Sequence, residues 1–330
     1  MNAADDARVE PSARDEVLRR LPGLSDAELP FRNQHLIRDH LMREAAEGRP
    51  AAGRAGRPLF LSLAAAAAAC AVVGAFVLSG SGPAEHPRAA RPEPAAVRFL
   101  DRVAWAAARA PAPSVRDGQF LYTKTVGHST ALSEVAGGGM EASRIDQSAE
   151  VWVSVDGTAA TTTRTARGTG THPPDGKPTL NGPTYRFLET LPTDPDRLRK
   201  VIYADARLNH GPGSGSTTGP DQEAFVMIGD ILKRGGTPPG LSAALYRVAA
   251  RIPGVVLVPG ATDAAGRTGV AVARVHDGER TEWIFDEGSL GFMGERTVLL
   301  KDGTWGRAGS EVTSVAVVGR GVTDRPEQLP

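Results

Sequence analysis

The residues that could do chemistry in this chain are few and scattered. Asp263 and the pair Asp286-Glu287 form the nearest approach to a carboxylate couple, the arrangement needed for general acid and base work. Both lie in turn-like sequence, where acidic residues are expected for their local hydrogen bonds to the backbone. The seven histidines stand singly along the chain. His35 and His40 are five apart, which does not stack two rings on one helix face. Gly213-Ser214-Gly215-Ser216 has a glycine-rich composition, but no strand leads into it as a phosphate cradle requires. No GxSxG elbow, Walker loop, HExxH helix or CxxC pair occurs. The sequence therefore assigns no catalytic, cofactor-binding or metal-ligating residue, and we expect a protein that is not an enzyme.

The elements that would position any site fall into unequal parts. Leu59 to Leu78, LFLSLAAAAAACAVVGAFVL, is uncharged and long enough for a transmembrane helix, which needs ~20 apolar residues. Arg49, Arg54 and Arg57 precede this span, so the positive-inside rule places the N-terminus in the cytoplasm. A long polar segment comes first, unlike the short charged start of a cleaved signal peptide. Cys70, the only cysteine, has Ala67 three residues before it, a poor context for lipoprotein acylation. An intramolecular disulfide is excluded. We expect residues 1–57 to be a cytoplasmic helical segment, 58–79 the span, 80–94 a flexible linker and 95–330 an extracytoplasmic domain. Ala71 with Ala75, and Cys70 with Gly74, give the span a small-residue surface suited to homodimer pairing.

In the N-terminal segment, Leu36, Ile37, Leu41 and their helical spacing leave a narrow apolar stripe between charged faces. Such a stripe, within residues 29–47, fits docking into the groove of a cytoplasmic protein. A sigma factor is one such partner. The zinc-bound form of a sigma-restraining domain is excluded, because the segment has no cysteine. A balanced charge, 38 basic against 38 acidic residues, removes the footprint of a nucleic-acid binder.

The outer part begins with a packing helix over Ala95 to Ala110, ended by Pro111-Ala112-Pro113. From Gly118 the apolar period becomes two, and Val151, Val153 and Val155 run into Asp156-Gly157, a hairpin signal with Ala159 to Thr165 returning. Helices follow at Asp194-Pro195, where a cap precedes a first-turn proline, at Asp221 and at Pro239. The last third returns to strands over Val255–Val258, Thr268–Val275, Glu279–Phe285, Arg296–Leu300 and Val312–Val318. Strands, helices, then strands predict an α+β class, with a curved antiparallel sheet packed by helices.

Several segments together carry a resemblance: LPFRNQHLIRDHLMRE from Leu29, GQFLYTKT from Gly118, EVWVSVDG from Glu150, LPTDPDRL from Leu191, PPGLSAALYRVAARIPGV from Pro238, DAAGRTGVAVA from Asp263 and IFDEGSLGFMGERTVL from Ile284. On these the chain resembles an uncharacterised actinobacterial family of single-pass membrane proteins, often encoded beside extracytoplasmic-function sigma factors. The resemblance supports the topology and brings no catalytic residue. Three functions are then expected in descending order. The first is an outer domain that binds or senses an envelope ligand while the cytoplasmic helices engage a regulatory partner. The second is an anchored carrier of lipid or wall fragments, loosely similar to periplasmic lipoprotein-carrier folds. The third is an envelope enzyme.

Overall fold

The computed structural model describes residues 91–135, 139–174, 176–211 and 218–330. The expected cytoplasmic segment, the span and most of the linker lie outside the described residues. Among the described residues no helix is long and apolar enough to cross a membrane.

Fifteen elements follow in chain order. Helix α1 (Pro94–Ala107) leads into β1 (Phe120–Glu134), β2 (Met140–Asp146), β3 (Ala149–Ser154), β4 (Thr161–Thr165) and β5 (Gly168–His172). Four helices come next, α2 (Tyr185–Thr190), α3 (Pro195–His210), α4 (Gly219–Lys233) and α5 (Pro239–Ala249). The chain closes with β6 (Val255–Thr262), β7 (Thr268–His276), β8 (Glu279–Phe285), β9 (Phe292–Leu299) and β10 (Glu311–Thr323). All strands join one antiparallel sheet in the order β5-β4-β3-β1-β10-β9-β8-β7-β6, and β2 pairs with the far end of β1. The first and last strand groups thus meet where β1 pairs β10, with the helical segment between them in sequence. This is the α+β arrangement expected from the sequence.

Local chemistry explains the helix and turn boundaries. Asp194 Oδ1 accepts from the Arg197 N–H at 2.9 Å and Pro195 sits in the first turn, so α3 starts where a cap satisfies an orphan donor. The Asp156-Gly157 hairpin forms with Gly157 at φ 77, and the N–H of Thr158 bonds Asp156, holding that carboxyl down at about 2. The two-residue turn between β7 and β8 places Asp277 at φ 46 and Gly278 at φ 78.

Helices α1, α3, α4 and α5 pack over one face of the sheet. Their core carries Phe99, Leu100, Leu198, Ile202, Phe225, Ile228, Leu241, Leu245 and Ile252, closed from the sheet by Val272, Trp283, Phe285 and Val317. Phe225 stacks on Trp283 with ring centroids 4.0 Å apart, and Phe285 takes Phe99, Tyr246 and Phe292 edge-on. Side chains of the protein itself fill this space.

Some expected boundaries shift. Strand β9 begins at Phe292 rather than Arg296, and β10 runs over Glu311–Thr323 rather than Val312–Val318. Strands β2 and β5 and helix α2 are additional. Trp105, expected beside the packing face of α1, is 58% exposed, and Phe99 takes the buried place.

Candidate functional site

The opposite face of the sheet is where polar groups converge. In register across five strands lie His128 of β1, Ser314 of β10, Arg296 of β9, Glu282 of β8 and Ala273 of β7. This face is not left to solvent, because the turn joining β6 to β7 doubles back across it. Arg296 Nη1 donates to the Thr262 carbonyl at 3.3 Å. Arg267 Nη2 reaches the carbonyls of Met293 at 3.1 Å and Val317 at 3.0 Å, just beyond Ala316 and Gly294, the last pair that β10 and β9 make. Small side chains permit the curl. Ala261, Ala271, Ile284 and Met293 form a separate apolar cluster here, and a Cβ on Gly294 would run into the Val315 carbonyl and Ala316 Cα.

Within this fold-over a chain of charges is buried. The Glu282 carboxylate is fully inaccessible and receives Arg280 Nε at 2.6 Å and Arg296 Nε at 2.8 Å. Arg296 also donates to Glu311 at 2.7 Å, and Glu311 lies 3.8 Å from His128 Nε2. On its other side His128 Nδ1 is 2.7 Å from the Arg144 guanidinium of β2. A guanidinium has only donors, so Nδ1 accepts and the neutral ring carries its proton on Nε2, facing Glu311. Burial, reinforced by Arg144 and opposed by Glu311, holds the His128 pKa below its ordinary value. Ser314 Oγ, opposite His128, is buried with no hydrogen-bond partner.

This chain of charges ends in a recess of about 350 Å³ lined by Val126, Gly127, His128, Arg144, Asp146, Ser148 and Ala264. Strands β1 and β2 supply one wall and the β6–β7 turn the other. Ser148 Oγ donates to Asp146 Oδ1 at 2.6 Å and accepts from the Gly127 N–H at 3.2 Å, which fixes the Asp146 carboxylate at the rim. Those bonds from Ser148 hold the Asp146 pKa low, so the carboxylate is charged. The recess therefore offers a guanidinium, a carboxylate and a hydroxyl within one concavity.

A second polar cluster lies under the helices. Lys233 of α4 is held between Asp230, at 2.9 Å, and Glu295 of β9. Burial opposes its charge, but the two carboxylates outweigh that effect and raise its pKa. Burial likewise lifts the Glu295 carboxyl. The Trp283 Nε1 beside it has no hydrogen-bond partner, and Gly229 is where α4 makes room: a Cβ there would lie 2.5 Å from that nitrogen. This cluster pins α4 to the sheet and opens onto no cavity.

The acidic residues picked out in the sequence do other work. Asp263 accepts from the Arg267 N–H at 3.0 Å and from Arg267 Nε at 2.8 Å, closing the β6–β7 turn. Asp286 accepts from Ser289, N–H at 2.6 Å and Oγ at 2.7 Å, closing the turn after β8. Each of these two carboxylates is engaged in its own turn. Residues 213–216 lie outside the described residues, as do His35, His40 and Cys70. Among the described residues no three His, Cys, Asp or Glu side chains group as metal ligands. Sequence reasoning missed His128, Arg144, Arg296 and Glu282 altogether, because their meeting depends on strand register. The available signal was Arg280 and Glu282, two charges at alternate positions of a strand that ends in Trp283-Ile284-Phe285. Comparisons with protein-family models, with curated proteins and with solved structures return no match.

Proposed function

We propose that this chain is a membrane-anchored binding protein whose outer domain takes a polar envelope ligand at the β1–β2 recess and whose N-terminal segment engages a regulatory partner in the cytoplasm, a sigma factor being the partner favoured by the family resemblance. The observation that carries the ligand half of this reading is the recess itself. Arg144 and Asp146 face one concavity at opposite charge, and His128 joins it to the Glu311–Arg296–Glu282 chain, in which Glu282 is fully buried. Oppositely charged walls suit a small molecule bearing both a carboxylate and donor groups. A cell-wall fragment of one sugar or a short peptide has that chemistry and that size.

The carrier reading needs an apolar groove between sheet and helices. Phe225 on Trp283 and the three rings around Phe285 occupy that position, which favours the polar recess over a lipid cavity. The test is a titration of the full chain in detergent with a soluble muramyl peptide, read by calorimetry. Saturable binding that is lost in Arg144→Ala, with the unfolding transition unchanged, is expected. Binding unaffected by Arg144→Ala, or absent for every wall fragment tried, would remove the recess as the ligand site.

A further inference from the structure

Charge is balanced over the whole chain, yet it is unevenly placed on the outer domain. The outward side of α3 carries Arg197 and Lys200, with Arg207 at its edge, against Asp196 and Asp205. Along the same side run Val201, 37% exposed, Ala204 and Leu208, 80% exposed, at intervals of three and four residues. Arg197, Val201, Ala204 and Leu208 therefore form one stripe on the helix, the apolar side chains framed by cations. Two neighbours extend the pattern. Helix α5, which packs against both α1 and α3, adds Arg247 and is followed by exposed Arg251, which pairs with Asp196 of α3 at 2.5 Å and offsets that carboxylate. Helix α1 displays Arg98, Arg102 and Trp105, whose ring lies 3.7 Å from the Arg109 guanidinium.

An exposed leucine is ordinary by itself. Exposed Leu and Trp set among arginines have a specific physical use: aliphatic and indole groups enter the headgroup region while the cations meet lipid phosphates, long side chains reaching around the apolar ones. Only residues 79–93 separate the expected span from α1, so an anchored domain stays close to the bilayer. We propose that the helix layer, led by the α3 stripe, docks onto the anionic phospholipid surface of the membrane that anchors the chain. This rests on the reading of Leu59–Leu78 as a span. Docking by this face leaves the recess, on the opposite face of the sheet, open to the envelope.

The experiment uses the full chain in proteoliposomes, in a Cys70→Ala background with Leu208→Cys carrying an environment-sensitive fluorophore. Lipids labelled with a quencher at the top of the acyl chain report its depth. Quenching that rises several-fold when phosphatidylglycerol is added to phosphatidylcholine, that falls at high salt, and that is lost in Arg197→Glu/Lys200→Glu/Arg207→Glu supports the docking. The same fluorophore on Ser133→Cys, at the exposed end of β1, is expected to stay unquenched. Equal quenching in both lipid mixtures, or none at Leu208→Cys, overturns it. A spectral shift produced by soluble polyphosphate without lipid quenching also overturns it and assigns the surface to wall polyanions. Alkaline extraction separates the two readings. A chain retained by the vesicles but unquenched fails the docking alone, whereas a chain released by alkali removes the anchor together with the proposal built on it.

Discussion

His128 sits where a burial cost and an electrostatic cost act in the same direction. The sheet removes it from water and Arg144 approaches within 2.7 Å, so the folded protein disfavours the imidazolium. The unfolded chain has no such penalty and takes up a proton on this ring near the ordinary value of 6.5. Stability is therefore fully present above that value and declines as the pH falls through it, levelling off below the depressed folded pKa. His128→Gln keeps the ring-sized volume without the titration. Denaturant midpoints measured from about pH 7.5 down to about pH 5 are expected to fall more steeply for the wild type than for this variant. Parallel curves would show that His128 carries no linkage. The nearby Glu282 illustrates why such residues escape a reading of the sequence. Its carboxylate is buried, and only the register of β8 against β9 gives it Arg296 as a partner.

At the scale of elements, signals confined to one stretch of chain were legible and signals between stretches were not. The Asp194-Pro195 cap, the Asp156-Gly157 turn and the strand over Glu279–Phe285 each depend on neighbours in sequence, and each appears in the fold at its expected place. Strand β2 reads MEASRID, almost wholly exposed, and carries no apolar alternation to announce it. It forms because β1 continues past β3 and offers a free edge. The Thr-rich β4, expected to be a solvated face, has Thr162 buried opposite Trp152, since the sheet is covered on both sides here. Trp152 Nε1 donates to the Gln328 carbonyl at 2.7 Å, so the C-terminal residues supply that cover. The fold-over that forms the recess depends on a different feature, the absence of a side chain at Gly294. Its missing Cβ lets β9 lie against the Val315 carbonyl of β10. Gly294→Ala is expected to destabilise the domain by about 1–3 kcal/mol through overpacking, measured by denaturant unfolding. An unchanged midpoint would mean that the curl does not depend on close backbone approach at this point.

At the scale of the whole molecule, the α+β class followed from the order of periodicities, strands, helices, strands, because that order leaves the helices to cover one face of an antiparallel sheet. The site did not follow, because a recess between β2 and the β6–β7 turn joins residues more than a hundred positions apart, Arg144 and Ala264 among them. The functional proposal reads the uncharged run Leu59–Leu78 as a span, and its central claim is that the recess and the N-terminal segment lie on opposite sides of one membrane. The most direct measurement is labelling with a membrane-impermeant maleimide in intact cells, using full chains in which Cys70→Ala is combined with Ser12→Cys or with Ser133→Cys. The account predicts that Ser133→Cys is labelled from outside and Ser12→Cys only after permeabilisation. Labelling of Ser12→Cys in intact cells, protection of Ser133→Cys, or recovery of the chain in the soluble fraction would contradict it.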